Sequence, residues 1–249
     1  MQHFILYLCR REAAEWMIVM SSFEITPIAY MESDFPAKFG IPRQAGLVEE
    51  LKGRIVFTPE FRSEEALRGI EGYSHLWLIW QFSGNAGVPW SPTVRPPRLG
   101  GNVRMGVFAT RSPFRPNSLG LSCVKLEGLE KTREQGTVLL VSGADLMSGT
   151  PIFDIKPYIP YSDCLPEASE GFASKPVPAL QVAFAPGTEA LVPPEKREAL
   201  RKVLACDPRP HYQDDPERIY GMAFAGLDVR FRVAGNQLTV TEIIIDNNK

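Results

Sequence analysis

Twenty-two prolines and twenty glycines are strewn along 249 residues without forming one tract. Proline fixes φ and removes an amide donor, and glycine weakens any regular element that it interrupts. A chain punctuated this often therefore favours short strands and turns over long helices. Between the breaks lie short apolar, aromatic and β-branched runs. Strands are predicted over 23–30, 54–57, 75–82, 106–109, 119–126 and 137–142, with one or two helical turns over 64–69. The run at 75–82, His-Leu-Trp-Leu-Ile-Trp-Gln-Phe, reads as a strand buried on both faces. Strands at this spacing with little helix between them indicate a mainly β architecture, an antiparallel sheet that curls or closes into a barrel.

The composition changes after Tyr161. Residues 160–178 read as loop, 182–185 as a short strand and 194–205 as the best helix in the chain, with Pro and Glu at its start and Ala199, Leu200, Val203 and Leu204 on one face. Alternating runs at 220–224, 227–233 and 237–245 follow as three strands. The expected organisation is a β-barrel domain over 21–165 and a smaller α+β domain over 166–249. Residues 1–20 are too short and too charged for a membrane helix and lack the order of a signal peptide, so they read as a dispensable extension.

Charge is distributed unevenly. The fifty-five residues from 72 to 126 hold no Asp or Glu, yet carry Arg95, Arg98, Arg104, Arg111, Arg115 and Lys125, in a chain whose net charge is −2. Planar guanidinium groups interleaved with Pro, Gly and aromatics suit bidentate recognition of phosphate or carboxylate and stacking on bases. The segment reads as an anion-recognition site for nucleic acid, a nucleotide-like cofactor, or both. A pI near 6.0 excludes a generally basic coat, so any nucleic-acid contact is local. Cys9, Cys123, Cys164 and Cys206 form no C-x-x-C pair and read as reduced, mostly buried thiols of a cytosolic protein. With His3, His75 and His211 as the only histidines, no metal site is expected.

No G-x-G-x-x-G, Walker A, G-x-S-x-G or H-E-x-x-H motif occurs. Four loops have unusual residue choices. Pro42-Arg43-Gln44-Ala45-Gly46 is either a plain turn or a stiff loop presenting a guanidinium and an amide. His75, which opens the aromatic strand, reads as a satisfied structural histidine. Residues 145–158 read Asp-Leu-Met-Ser-Gly-Thr-Pro-Ile-Phe-Asp-Ile-Lys-Pro-Tyr, so Asp154, Lys156 and Tyr158 fall on one face of an extended segment, as an ion pair or as a site. Residues 207–212, Asp-Pro-Arg-Pro-His-Tyr, form a rigid loop with an outward Arg209.

Taken in order with Tyr73-Ser74-His75-Leu76-Trp77, residues 93–102, 104–120 and 149–158, and Asp207 to Pro210, these segments resemble the TrmO family, also called the TsaA- or YaeB-like family. The resemblance runs from about Ser21 to the C-terminus. It implies an S-adenosylmethionine-dependent tRNA methyltransferase that acts on the N6 nitrogen of N6-threonylcarbamoyladenosine at position 37, beside the anticodon. It also implies a barrel that binds the cofactor without a Rossmann domain, a cytoplasmic location, and a homodimer with its site near the subunit interface. By that resemblance Pro42, Arg43 and Gln44 form the first cofactor loop, with Ser83, Arg111, Leu121, Asp145, Ser148, Gly149 and Thr150 as further cofactor contacts. Ser148 stands where the family usually has Asp, which keeps a hydrogen-bonding oxygen and loses a charge. Asn117-Ser118-Leu119-Gly120 replaces the usual Asn-Pro-Ile-Gly.

A sulfonium donor is already activated, so catalysis requires mainly alignment of donor and acceptor. The acceptor nitrogen is delocalised into purine and carbamoyl groups, and Asp154 is the expected hydrogen-bond acceptor for its proton. Lys156 and Tyr158 are expected to position the threonylcarbamoyl group. Arg98, Arg104, Arg115, Asn117 and Arg209 are assigned to the single-stranded anticodon loop of the tRNA. The competing reading is a non-catalytic RNA- or nucleotide-binding barrel. A phosphate-binding hydrolase lacks any nucleophile–base pair.

Overall fold

The structure is a computed structural model and describes residues 24–174, 178–210 and 215–245. The N-terminal extension and His211 and Tyr212 of the proline loop lie outside the described residues. Twelve strands dominate. The first eight are β1 (Ala29–Glu32), β2 (Lys52–Phe57), β3 (His75–Gln81), β4 (Thr93–Val94), β5 (Met105–Gly106), β6 (Leu119–Thr132), β7 (Gly136–Ser142) and β8 (Pro151–Pro157). A short helix α1 (Pro160–Asp163), strand β9 (Gln181–Phe184), helix α2 (Pro194–Ala205) and strands β10 (Tyr220–Phe224), β11 (Leu227–Ala234) and β12 (Gln237–Ile245) follow.

Six strands hydrogen-bond in the order β1-β2-β7-β6-β3-β8, and β8 returns to β1 through Ala29 opposite Ile152, so the ring is a closed barrel. Its core is made by inward residues of each strand, among them Met31, Ile55, Leu76, Leu78, Leu139, Val141 and Ile152. Strand β3 is not buried on both faces. Leu76, Leu78 and Trp80 point inward, whereas His75, Trp77, Ile79 and Gln81 are half-buried on the outer side, as the two-residue period of a barrel strand requires. The first strand starts at Ala29 rather than near residue 23, and 106–109 is a two-residue bridge followed by a 3₁₀ turn, Val107–Ala109. A bulge between Leu126 and Gly128 leaves Glu127 as the extra residue of β6.

The second sheet has the order β10-β11-β12-β9, with the last pair parallel. Helix α2 starts at Pro194 and packs Ala199, Leu200, Val203 and Leu204 beneath it. This second core also takes Phe35, Val48 and Leu51 from the link between β1 and β2. Cys9 lies outside the described residues; the three described thiols are free but not mostly buried, Cys164 being exposed and Cys123 and Cys206 half-buried. Among the described residues no helix is long and apolar enough to cross a membrane.

Two features make the barrel testable. A Cβ on Gly120 would sit 2.3 Å from Trp80 Cε2, an inward ring fixed by its indole hydrogen bond. Gly120→Ala is expected to cost about 1–3 kcal/mol, read as a lower denaturant midpoint at unchanged m. Glu127 accepts from Ser142 Oγ at 2.6 Å and Lys52 Nζ at 2.9 Å, and these bonds pull its carboxyl down to about 2. A depressed carboxyl stabilises the fold above its unfolded value near 4.5 and loses that contribution as pH falls toward 2. Glu127→Gln should therefore flatten the stability profile between those pH values and cost under about 1 kcal/mol at neutral pH.

Candidate functional site

At one end of the barrel the link before β2, the turn after β3, the loop before β6 and the turn before β8 converge. They enclose a cavity of about 520 Å³. Of the residues expected to meet the cofactor, Pro42, Arg43, Gln44, Ser83, Arg111, Leu121, Asp145 and Thr150 line it, and so does Arg115. Trp77, Trp80, Phe82 and Leu119 add an apolar wall that also borders the cavity. Trp80 and Phe82 meet edge to face with centroids 4.4 Å apart.

The cavity wall is tied together through Asp145. The Trp80 indole donates to Ser122 Oγ at 2.9 Å, and Ser122 Oγ donates to Asp145 Oδ1 at 2.6 Å. Burial pushes the Asp145 carboxyl up, while Ser122, its own amide, the Ala45 amide and the Arg111 charge pull it down. The bond from Ala45 places the 42–46 loop against the turn after β7, and Gly46 N donating to Gly143 O at 2.8 Å repeats that attachment one residue later. Arg111 Nη1 donates to Gln44 Oε1, joining the two flanks of the opening.

Behind the first loop, Arg209 donates through Nε and Nη2 to Asp207 at 2.9 and 3.0 Å, with side chains only 12% and 9% exposed. Arg209 is therefore not the outward arginine expected from its proline-rich loop. Buried charge demands a partner, and the aspartate two residues earlier supplies it. Arg43 Nη2 donates to the Arg209 carbonyl at 3.3 Å. Desolvation lowers the Arg43 pKa, Asp207 opposes this, and Arg98 adds to the lowering. The C-terminal domain thus reaches the first loop directly.

Other expected site residues fall outside the cavity wall. Ser148 N donates to Phe35 O and Gly149 N to Met31 O, so this turn closes the barrel behind the cavity. Arg98 donates to Ala173 O at 2.7 Å, Arg104 to Thr93 Oγ1 at 2.9 Å, and Asn117 is exposed. Arg115 donates to the carbonyls of Thr110 and Ser112 and so shapes the arginine loop from inside. Asp154 and Lys156 are an ion pair at 2.9 Å on the outer face of β8. They stand opposite Ile79 and Trp77 of β3, one strand away from the wall residue Leu121. Tyr158 continues that face, its ring 5.7 Å from Trp77 and 6.2 Å from His75. The His75 ring is satisfied by Ser74 Oγ at 2.9 Å.

Sequence reasoning missed Lys38 and Asn85. Lys38 Nζ lies 2.6 Å from Asn85 Oδ1 and 3.3 Å from Gly84 O, and all three residues line the cavity. The first of them sits four residues before Pro42, which was the only available signal.

Comparison with known proteins agrees with this architecture. A model of the tRNA-methyltransferase O N-terminal domain matches residues 30–164, and one of the TrmO C-terminal domain matches 178–245. The tRNA (adenine(37)-N6)-methyltransferase of Escherichia coli K12 is 42% identical over 223 residues, covering 86% of this chain and 94% of that protein. The protein of the same name from Eikenella corrodens is 52% identical over 162 residues, 65% of this chain and 91% of that one. A crystal structure of TrmO from Pseudomonas aeruginosa superposes with a TM-score of 0.74 at 33% identity, covering 90% of this chain and 99% of the other. With both domain models matched in order along the chain, the chain belongs to the TrmO family.

Proposed function

We propose that this protein methylates the N6 nitrogen of N6-threonylcarbamoyladenosine at position 37 of tRNA, with S-adenosylmethionine as donor. The observation that carries the reading is the convergence of Pro42–Gln44, Arg111, Leu121 and Asp145 on one cavity of about 520 Å³, from segments up to a hundred residues apart. That volume suits a nucleoside bearing an amino acid. Its donors and acceptors fit as well: Trp80, Phe82 and Leu121 supply apolar surface for a purine, Asp145 is a carboxylate for a cationic group, and Lys38 and Arg111 are cations for a carboxylate.

When bound, S-adenosylmethionine supplies a methyl group already activated on a sulfonium. The chain then has to align, exclude water and take up a proton. Gln44 and Arg111 clamp the opening, and the Trp80–Ser122–Asp145 series fixes the wall behind it. We place the acceptor on the flank where Trp77 leads out to Tyr158, because its rings offer stacking for a splayed base. Asp154 lies on that flank and would accept the N6 proton, with Lys156 beside the threonyl carboxylate. Among the described residues Arg98 and Arg104 bond to neutral groups, and they suit the tRNA backbone. We further read the working unit as a cytoplasmic homodimer, in which a second copy would cover the apolar row of Leu119 and Leu121, 37% and 57% exposed beside the cavity.

Purified protein is expected to transfer labelled methyl from S-adenosylmethionine to tRNA carrying the threonylcarbamoyl group, and not to tRNA lacking it. A site built around a carboxylate discriminates steeply when that group is absent. Equal labelling of both tRNAs would refute the acceptor assignment. Arg111→Ala is expected to weaken cofactor binding at least about tenfold by calorimetry, roughly 1.4 kcal/mol. Unchanged affinity would remove Arg111 from the cofactor site.

A further inference from the structure

Four cations line the cavity, and they differ in what they already hold. Arg43 is tied to the Arg209 carbonyl and the Asp207 charge. Arg115 is spent on the carbonyls of Thr110 and Ser112 within its own loop, and Arg111 bonds Gln44 within reach of the Asp145 charge. Lys38 differs from Arg115 in that its head reaches across to another loop. Its ammonium touches two neutral oxygens, Asn85 Oδ1 at 2.6 Å and Gly84 O at 3.3 Å, and no carboxylate of the described residues lies within ion-pair distance. An ammonium has three donors, so one remains unspent.

This arrangement is built rather than incidental. Asn85 is only 6% exposed, and its backbone is fixed in the 3₁₀ turn Ser83–Asn85, its amide donating to Phe82 O at 2.8 Å. The lysine stem lies across Gly84, where an added Cβ would meet Lys38 Cδ at 3.1 Å. Lys38 is exposed, yet its stem is packed on Gly84 and its head is bonded twice, which restricts the rotamers that a solvated lysine would sample. Neutral partners orient the charge without cancelling it, as a seat for an external anion requires. The cavity around it is of nucleoside size and has an apolar wall, which suits a carboxylate on a small group better than a phosphate of a solvated backbone.

We infer that Lys38, positioned by Asn85 and the Gly84 carbonyl, is the seat of an amino-acid α-carboxylate. The inference rests on the proposed function, in which such a carboxylate comes from either of two sources, the methionyl part of the cofactor or the threonyl part of the acceptor.

The test uses the full-length protein, with Lys38→Met to keep the stem and Asn85→Asp to place a carboxylate beside the ammonium and close the seat. Calorimetry with S-adenosylhomocysteine and with 5′-methylthioadenosine, which lacks the amino-acid part, reads the first source. If the cofactor's carboxylate sits there, both variants lose about tenfold or more toward S-adenosylhomocysteine and keep their affinity for 5′-methylthioadenosine. If the acceptor's carboxylate sits there, both nucleosides bind as before, while KM for threonylcarbamoyl-bearing tRNA rises about tenfold. Retained affinity and KM in both variants would overturn the seat, and so would equal losses toward the two nucleosides. A loss confined to tRNA affinity, independent of the modification and with a shallower salt dependence, would mark a phosphate contact and overturn it too. Native protein that binds neither nucleoside would refute the cofactor reading itself, and the seat with it.

Discussion

The fold hangs on one short segment, residues 33–46, which must satisfy two cores at once. Phe35 is buried in the second core, edge to face with Phe224 at 5.3 Å, and Phe39 stacks on Phe231 at 6.4 Å. Its backbone is laced to both sides: Ser148 N donates to Phe35 O from the barrel, and Ala225 N to Asp34 O from the second sheet, both at 2.8 Å. A half-buried Lys196–Asp34 pair adds a tether from α2. Removing a buried Phe side chain costs about 3–5 kcal/mol. The inserted rings and the two backbone bonds therefore set the position, and the ion pair adds to them. Gly40 completes the passage: at φ +96° it turns the chain where a Cβ would strike Met222 Sδ at 2.1 Å. The residues that follow, Pro42 to Gly46, then emerge at the cavity already oriented.

That dependence ties the second domain to the cavity although none of its described residues line the wall. Asp207, held at φ +53°, presents its carboxylate to Arg209, and the Arg209 carbonyl takes Arg43. From the barrel side Asp145 receives the Ala45 amide. The loop is thus gripped at one end by the Arg209 carbonyl of the second domain and at the other by the buried Asp145 carboxylate of the barrel. Preorganisation here comes from packing at a domain boundary.

Much of this was legible in the sequence. Helix α2 and strands β10 and β12 have the bounds that periodicity and breakers suggest, because each is amphipathic and ends at Pro, Gly or charge. The outer face of β3 was not legible: Trp77 and Ile79 are as apolar as the inward Leu78, so alternation was masked, and only the barrel reveals which side is wet. Arg209 misled because a guanidinium among prolines looks outward until its aspartate partner is seen. Lys38 was invisible for a different reason. Its meaning lies in Asn85, forty-seven residues away, and neither residue type signals a site alone. Local patterns report local constraints, and a site assembled from loops has few.

The acid-free block takes its sense from this assembly. Its arginines are not a uniform basic surface: Arg111 and Arg115 turn toward the cavity, while Arg98 and Arg104 bond to neutral groups outside it. An acid among them would pair locally and cancel the field that an incoming anion needs. Where an acid does stand beside a cation near the site, in the Asp154–Lys156 pair, the two side chains are 45% and 61% exposed, so water screens the attraction and a ligand carboxylate can displace it at little cost. Lys38 needs no such displacement, because its partners are neutral. The two lysines thus differ in availability: Lys38 bonds only neutral oxygens of the described residues inside the cavity, and Lys156 is held in a weak, exchangeable pair on the flank outside it.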